Sequence, residues 1–161
     1  MLSLLADPTE IHLAVLQGDG ITHEKALVML LAKRADAAAA RGEVASATGL
    51  LDLTMSEPSW QTLNSKAWIH ATTWDEEYYR PLQAIELARR GCEMCNYSKP
   101  AIVDTLGVAY AATGDFVKAI ELCQQAMTLA SGRELELIAA NLRLFEAGKT
   151  VREVQPVVLE Q

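Results

Sequence analysis

Ala84-Ile85-Glu86-Leu87 returns as Ala119-Ile120-Glu121-Leu122, 35 residues further on. A period of this size leaves room for two helices in each unit. Such units cannot bury their apolar faces alone and do so only by stacking on one another. The spacing therefore predicts an all-α chain, a right-handed α-solenoid of antiparallel helix pairs with about three repeats and capping helices at its ends. No strand pattern competes with it.

Helix punctuation gives the boundaries. Asp7-Pro8 reads as a cap with proline at the first helical position, opening a short helix that Gly18 and Gly20 close. Thr22 caps a second helix that runs to about Arg41 and the turn at Gly42, and its partner runs from Glu43 to about Met55, before Pro58. A long helix covers Ser59 to about Thr73. The segment Trp74 to Arg80 is acidic and aromatic, without a helical stripe, and reads as a loop around a solvated turn at Asp75-Glu76-Glu77. Pro81 and Pro100 each open a helix, the first ending near Cys95 and the second near Thr113-Gly114; Asn96 to Lys99 is the turn between them. Asp115 to Ala130 follows, then a break at Ser131-Gly132 and a last helix from Arg133 to Ala147, with Leu135, Ile138, Leu142 and Phe145 on one face. At 161 residues, half of them hydrophobic, the chain can bury a core of its own. The expected organisation is one helical domain over 1–149: an N-terminal cap at 1–27, repeats at 28–61, 62–99 and 100–132, and a closing helix at 133–149. A loose tail occupies 150–161.

Taking Pro100 as a first position, Leu106, Gly107 and Tyr110 in the first helix and Ala119 and Ala126 in the second resemble the tetratricopeptide repeat family, with Gly114-Asp115 as its inter-helix turn. The physical reasons are readable. Gly107 and Ala119 suit a close crossing of paired helices, where a larger side chain would cost roughly 1–3 kcal/mol. Tyr110 suits the space between neighbouring hairpins. Cys123 stands where the family prefers a larger residue, a departure expected to weaken the local contact. Trp68 to Ala84 and Val103 to Ala119 share a spacing of 16 residues, which extends the register to the middle repeat, although Thr72 and Asp75 replace the expected glycine and tyrosine. In the first repeat Leu31, Ala35, Gly42, Ala47 and Leu51 fit, with Ala38 in the tyrosine place. Leu142 to Lys149 is similar to the closing helix of bacterial members. The resemblance spans about residues 28–149.

Net charge is −7, and Lys33-Arg34 and Arg89-Arg90 are isolated pairs. Nucleic acid and anionic membranes both need a concentrated basic stripe, so neither is an expected partner. No run approaches the length of a membrane span, no basic leader opens the chain, and a reducing cytoplasm is the expected compartment.

Cys92-Glu93-Met94-Cys95 is the one motif with a chemical spelling. A redox reading needs a βαβ context, and a zinc reading needs two more ligands where only Cys123 is on offer. The cysteines read better as small, partly buried residues. His12, His23 and His70 have no ligand spacing, and no phosphate loop, nucleophile elbow or HExxH occurs. The expectation is a chain that is not an enzyme and carries no cofactor.

The resemblance implies a concave groove lined by the first helix of each pair. In register, Met29, Ala32, Lys33 and Asp36 line it in the first repeat, His70 and Thr73 in the second, and Ala101, Asp104, Thr105 and Val108 in the third. Small, weakly polar residues suit a helix or extended peptide. Asp36 and Asp104 stand where family members that grip acidic chaperone tails carry a basic clamp, so that activity is not expected. The function implied is protein–protein interaction. The alternatives are a non-catalytic domain of a larger enzyme or regulator, and a scaffold that self-associates through its first or last helix.

Overall fold

The computed structural model describes residues 23–154, and side chains over residues 27–153. The short first helix, the Thr22 cap and His12 lie outside the described residues, as does the segment 155–161. Within them the chain is all α-helical, with eight helices and no strand. No helix among the described residues is long and apolar enough to cross a membrane.

The residues fall into two compact units, one ending at Pro58 and one beginning at Ser59, where the sequence reading has a single domain over 1–149. In the first unit, α1 (His23–Ala40) packs on α2 (Val44–Asp52). Leu31, Ala35 and Ala38 are buried on one helix and Ala47 and Leu51 on the other. This spacing of about one helical turn gives each helix one apolar stripe. Gly42 turns the chain between them at φ +78°, and the amide of Glu43 reaches back to the Ala38 carbonyl at 2.9 Å. That is the left-handed ending which glycine adopts without a Cβ penalty.

The second unit holds α3 (Trp60–Thr72), α4 (Pro81–Met94), α5 (Pro100–Ala112), α6 (Phe116–Leu129), α7 (Gly132–Glu146) and α8 (Val151–Val154). Consecutive helices from α3 to α7 pack on one another, and α5 also touches α3, α7 and α8. The centre of the unit is α5. Every residue from Ile102 to Ala109 on it is buried, and so is Ala111. A helix apolar on nearly all sides belongs inside, and its small residues let five neighbours approach. An added Cβ on Gly107 would stand 3.1 Å from the Ala119 carbonyl oxygen, so the close crossing expected of that pair is present. Tyr110 is half-buried and its hydroxyl accepts a 3.2 Å bond from the guanidinium of Arg89 on α4, in the preceding helix pair. Trp68 is half-buried; Ala84, Ala119 and Ala126 are fully buried.

Side-chain caps start two of these helices. The Ser59 hydroxyl accepts from the Thr62 amide at 3.2 Å, and Asp115 Oδ1 accepts from the Lys118 amide at 3.0 Å. Asp115→Ala leaves that amide to water and is expected to cost about 1 kcal/mol, read as a lower urea midpoint at unchanged slope.

The closing helix is α7, with Ile138 and Phe145 buried and Leu135 and Leu142 half-buried, as its single apolar face predicts. The residues after it differ from the loose tail expected over 150–161. Residues 151–154 form α8, which lies against α3 and α5, because Val151 has an apolar surface there to bury.

Candidate functional site

Of the groove residues assigned to the first unit, Met29, Lys33 and Asp36 are exposed on α1 and Ala32 is half-buried. Of the six assigned to the second unit none is exposed, and Ala101 is half-buried. His70, Thr73, Asp104, Thr105 and Val108 are all buried, so they line no open face. The physical reason is the central position of α5 and the cover that α7 and α8 place over α3 and α5. Each of these residues instead holds structure. Thr105 Oγ1 donates to the Ala101 carbonyl at 2.9 Å, and Thr73 Oγ1 accepts from the Asp75 amide at 3.1 Å.

Asp104 sits in a buried polar cluster. Its Oδ2 accepts from Asn141 Nδ2 on α7 at 2.8 Å, and its Oδ1 lies 3.6 Å from Cys123 Sγ on α6. Cys123 Sγ is also 3.2 Å from the Ile138 carbonyl. Burial raises the Asp104 carboxyl to about 7 against the pull of its two hydrogen bonds, and Glu134 adds to the rise. Cys123 links α5, α6 and α7 through these contacts.

The thiol chemistry is unpromising for catalysis. All three cysteines are free, with Cys92 and Cys123 buried and Cys95 half-buried. Burial pushes the Cys92 thiol up to about 12 and the Cys123 thiol also up, away from the reactive thiolate. Cys95 Sγ points at the Cys92 carbonyl, 3.4 Å away, and Cys92 Sγ at the Ile102 carbonyl, 3.5 Å away. Among the described residues no group of three or more His, Cys, Asp or Glu side chains is placed to hold a metal ion. An Ellman titration of the native chain is expected to read one fast thiol, Cys95, and three after denaturation; three fast thiols in the native chain would contradict this packing.

The arrangement with recognition chemistry is the loop between α3 and α4. His70 anchors it: Nδ1 lies 2.7 Å from the Tyr78 carbonyl, which can only accept, so Nδ1 carries the hydrogen and donates. The Arg80 amide returns to the His70 carbonyl at 2.9 Å. The Tyr79 hydroxyl donates to the Ala112 carbonyl at the end of α5, at 3.2 Å, and Asp75 Oδ1 accepts from the Glu77 amide at 3.0 Å. Loops tied at both ends in this way hold their side chains in fixed places. The guanidinium of Arg152, on α8, lies 3.8 Å from the centroid of the Tyr79 ring and 5.4 Å from that of Trp74. Its Nη2 donates to Glu76 Oε1 and, at 3.4 Å, to the Trp74 carbonyl. These are cation–π distances with a charge-assisted hydrogen bond added.

Sequence reading marks this loop as acidic and aromatic but leaves it a solvated turn, and it does not single out Arg152. The loop's lack of a helical stripe is the available signal. Its partner lies 76 residues from Glu76, a separation that no local pattern bridges. Compared with protein-family models, with curated proteins and with solved structures, the chain matches none.

Proposed function

We propose that this chain is a non-enzymatic interaction module of the tetratricopeptide type, a right-handed solenoid whose second unit binds a short peptide segment on the face formed by α3 and α5. The observation that carries the reading is α8: a four-residue stretch of the chain's own C-terminal region already lies on that face and buries Val151 there. A face that accepts one short segment through an apolar side chain and a guanidinium has the features of a peptide site. The 35-residue register supports the repeat reading. Ala67 and Ile102, Ala71 and Leu106, Ala84 and Ala119, and Ala88 and Cys123 are buried in both copies, whereas Leu82 and Val117, and Met94 and Leu129, are exposed in both.

The test vacates the face in the full chain. Val151→Asp with Arg152→Ala removes both anchors of α8, and circular dichroism checks that the remaining helices stand. A fluorescein-labelled peptide with the sequence of residues 148–154 (Gly-Lys-Thr-Val-Arg-Glu-Val) is then titrated by anisotropy. Saturable binding, with slowed amide exchange over α3 and α5, is the expected result. A folded variant that binds no peptide sinks the reading.

Self-association through the last helix is a second reading, favoured by Leu137, which stands well exposed on α7. Light scattering over a hundred-fold concentration range decides it, and a strict monomer at all concentrations removes it.

A further inference from the structure

The guanidinium of Arg152, held by Trp74, Glu76 and Tyr79 of the α3–α4 loop, says what else would fit there. Arg152 has a side chain only 15% exposed, while the carboxylate that pairs with it, on Glu76, is 80% exposed. Trp74 is itself nearly half exposed. The seat is therefore open to solvent on its acidic and Trp74 sides and closed on the side of Tyr79, whose hydroxyl is fixed to α5. A planar, weakly hydrated guanidinium is the group such a site selects, because it can stack on a ring and donate in its plane at the same time; an ammonium cannot do both.

Two further observations bear on whether the present occupant can be replaced. The Arg152 Nε is buried and makes no hydrogen bond. A buried donor left unmade is costly, so Arg152 is held at less than its full bonding capacity. The segment that carries Arg152 is four residues long and joins α7 through Ala147 to Thr150, with Gly148 in the left-handed region at φ +66°. Few contacts have to be given up for it to leave.

We propose that Trp74, Glu76 and Tyr79 form an arginine-recognition seat, held in cis by Arg152, which takes the arginine of a partner peptide that places an apolar residue immediately before it. The inference rests on the reading of α3 and α5 as a peptide face and adds the chemistry of the partner. Val151 supplies the template: in the cis occupant the apolar residue buries against the helices while the arginine next to it enters the seat. The tail is then a built-in competitor. A tethered occupant acts at a high local concentration and lowers the apparent affinity for any peptide in trans. The overall charge of −7 favours the approach of such a cationic peptide.

The experiment uses the full chain with Val151→Asp and Arg152→Ala, and three labelled peptides: Gly-Lys-Thr-Val-Arg-Glu-Val, and the same peptide with citrulline or lysine in place of arginine. Citrulline keeps the shape and loses the charge; lysine keeps the charge and loses the plane. Both are expected to bind about ten-fold more weakly than the arginine peptide. Adding Tyr79→Leu or Glu76→Gln should shrink that difference, whereas Tyr79→Phe, which keeps the ring, should preserve it. The wild-type chain, with its tail seated, should bind the arginine peptide at least ten-fold more weakly than the vacated chain. Equal binding of all three peptides overturns the arginine seat while leaving a peptide face on α3 and α5. No binding of any peptide overturns both. Should the double variant lose its helical signal, Arg152→Gln alone vacates the seat and carries the same comparison.

Discussion

Gly91→Ala is expected to destabilise the second unit by about 2 kcal/mol, and Ile102→Val in the same chain is expected to recover much of that loss. In an ordinary helix interior the first change would stabilise by about 0.5–1 kcal/mol, because glycine gives up more backbone freedom on folding than alanine does. Here the space is taken. A Cβ on Gly91 would stand 2.0 Å from the Ile102 Cδ1, 3.3 Å from its Cγ1 and 3.5 Å from the Leu63 Cβ. Ile102 is fully buried, so its end cannot swing out to solvent and must push into neighbouring packing. Valine at 102 lacks the offending methyl. Alone it should cost about 1 kcal/mol for the small void it leaves. With Gly91→Ala the void is filled, and the double variant should be more stable than the sum of the single effects by about 1 kcal/mol or more. Urea unfolding of the four chains measures the cycle. Strict additivity, or a Gly91→Ala chain more stable than the parent, would falsify the close-packing argument. Gly107 offers the contrast, because the nearest atom to its absent Cβ is the Ala119 backbone oxygen at 3.1 Å, which no side-chain substitution can move.

The same pair of residues shows how much of the fold is legible in the chain. Gly91 stands 35 residues before Ala126, in register with the second alanine of the later repeat. The register therefore marks position 91 as small but does not say why it must be smaller than alanine; that depends on which side chain α5 presents across the crossing. Helix ends are the most readable part. Proline at Pro81 and Pro100, the caps at Ser59 and Asp115, and the turns at Gly42 and Gly114 are local signals and set local structure. Exposure of a face is not local. The resemblance assigns His70 and Val108 to an open groove, yet they are buried, because α7 and α8 add cover that the repeat period does not encode. The aromatic loop was visible in the sequence as an irregularity. Its meaning depends on Arg152, which reaches it only after the chain has folded back over α3 and α5.

The Asp104 cluster gives the second large effect, a stability that falls as the pH rises from about 4 to about 7. The carboxyl has an ordinary value of 3.8 and is raised to about 7 in the folded chain, chiefly by burial. Below the ordinary value both states hold the proton and Asp104 contributes no slope. Between the two values the unfolded chain releases a proton that the folded chain keeps, so unfolding becomes easier by about 1.4 kcal/mol per pH unit, and the loss levels off above about 7. The whole effect is at most roughly 4 kcal/mol. The two hydrogen bonds pull toward the ionised form, but burial outweighs them, and the cluster can also satisfy the neutral acid. Protonated Asp104 can accept from Asn141 through Oδ2 and donate through Oδ1 to Cys123 Sγ, which frees the thiol hydrogen for the Ile138 carbonyl at 3.2 Å. An ionised Asp104 competes for that single thiol hydrogen and faces Glu134 with a like charge. Asp104→Asn keeps the acceptor for Asn141, places an amide toward Cys123, and cannot ionise. It is expected to match the parent near pH 4 and to exceed it by a few kcal/mol at pH 8, with the difference opening between those values. Subtracting the two urea-unfolding profiles cancels the other carboxylates and isolates this one. Profiles that run parallel across the range would mean that Asp104 is ionised in the folded chain and that burial does not dominate its charge state.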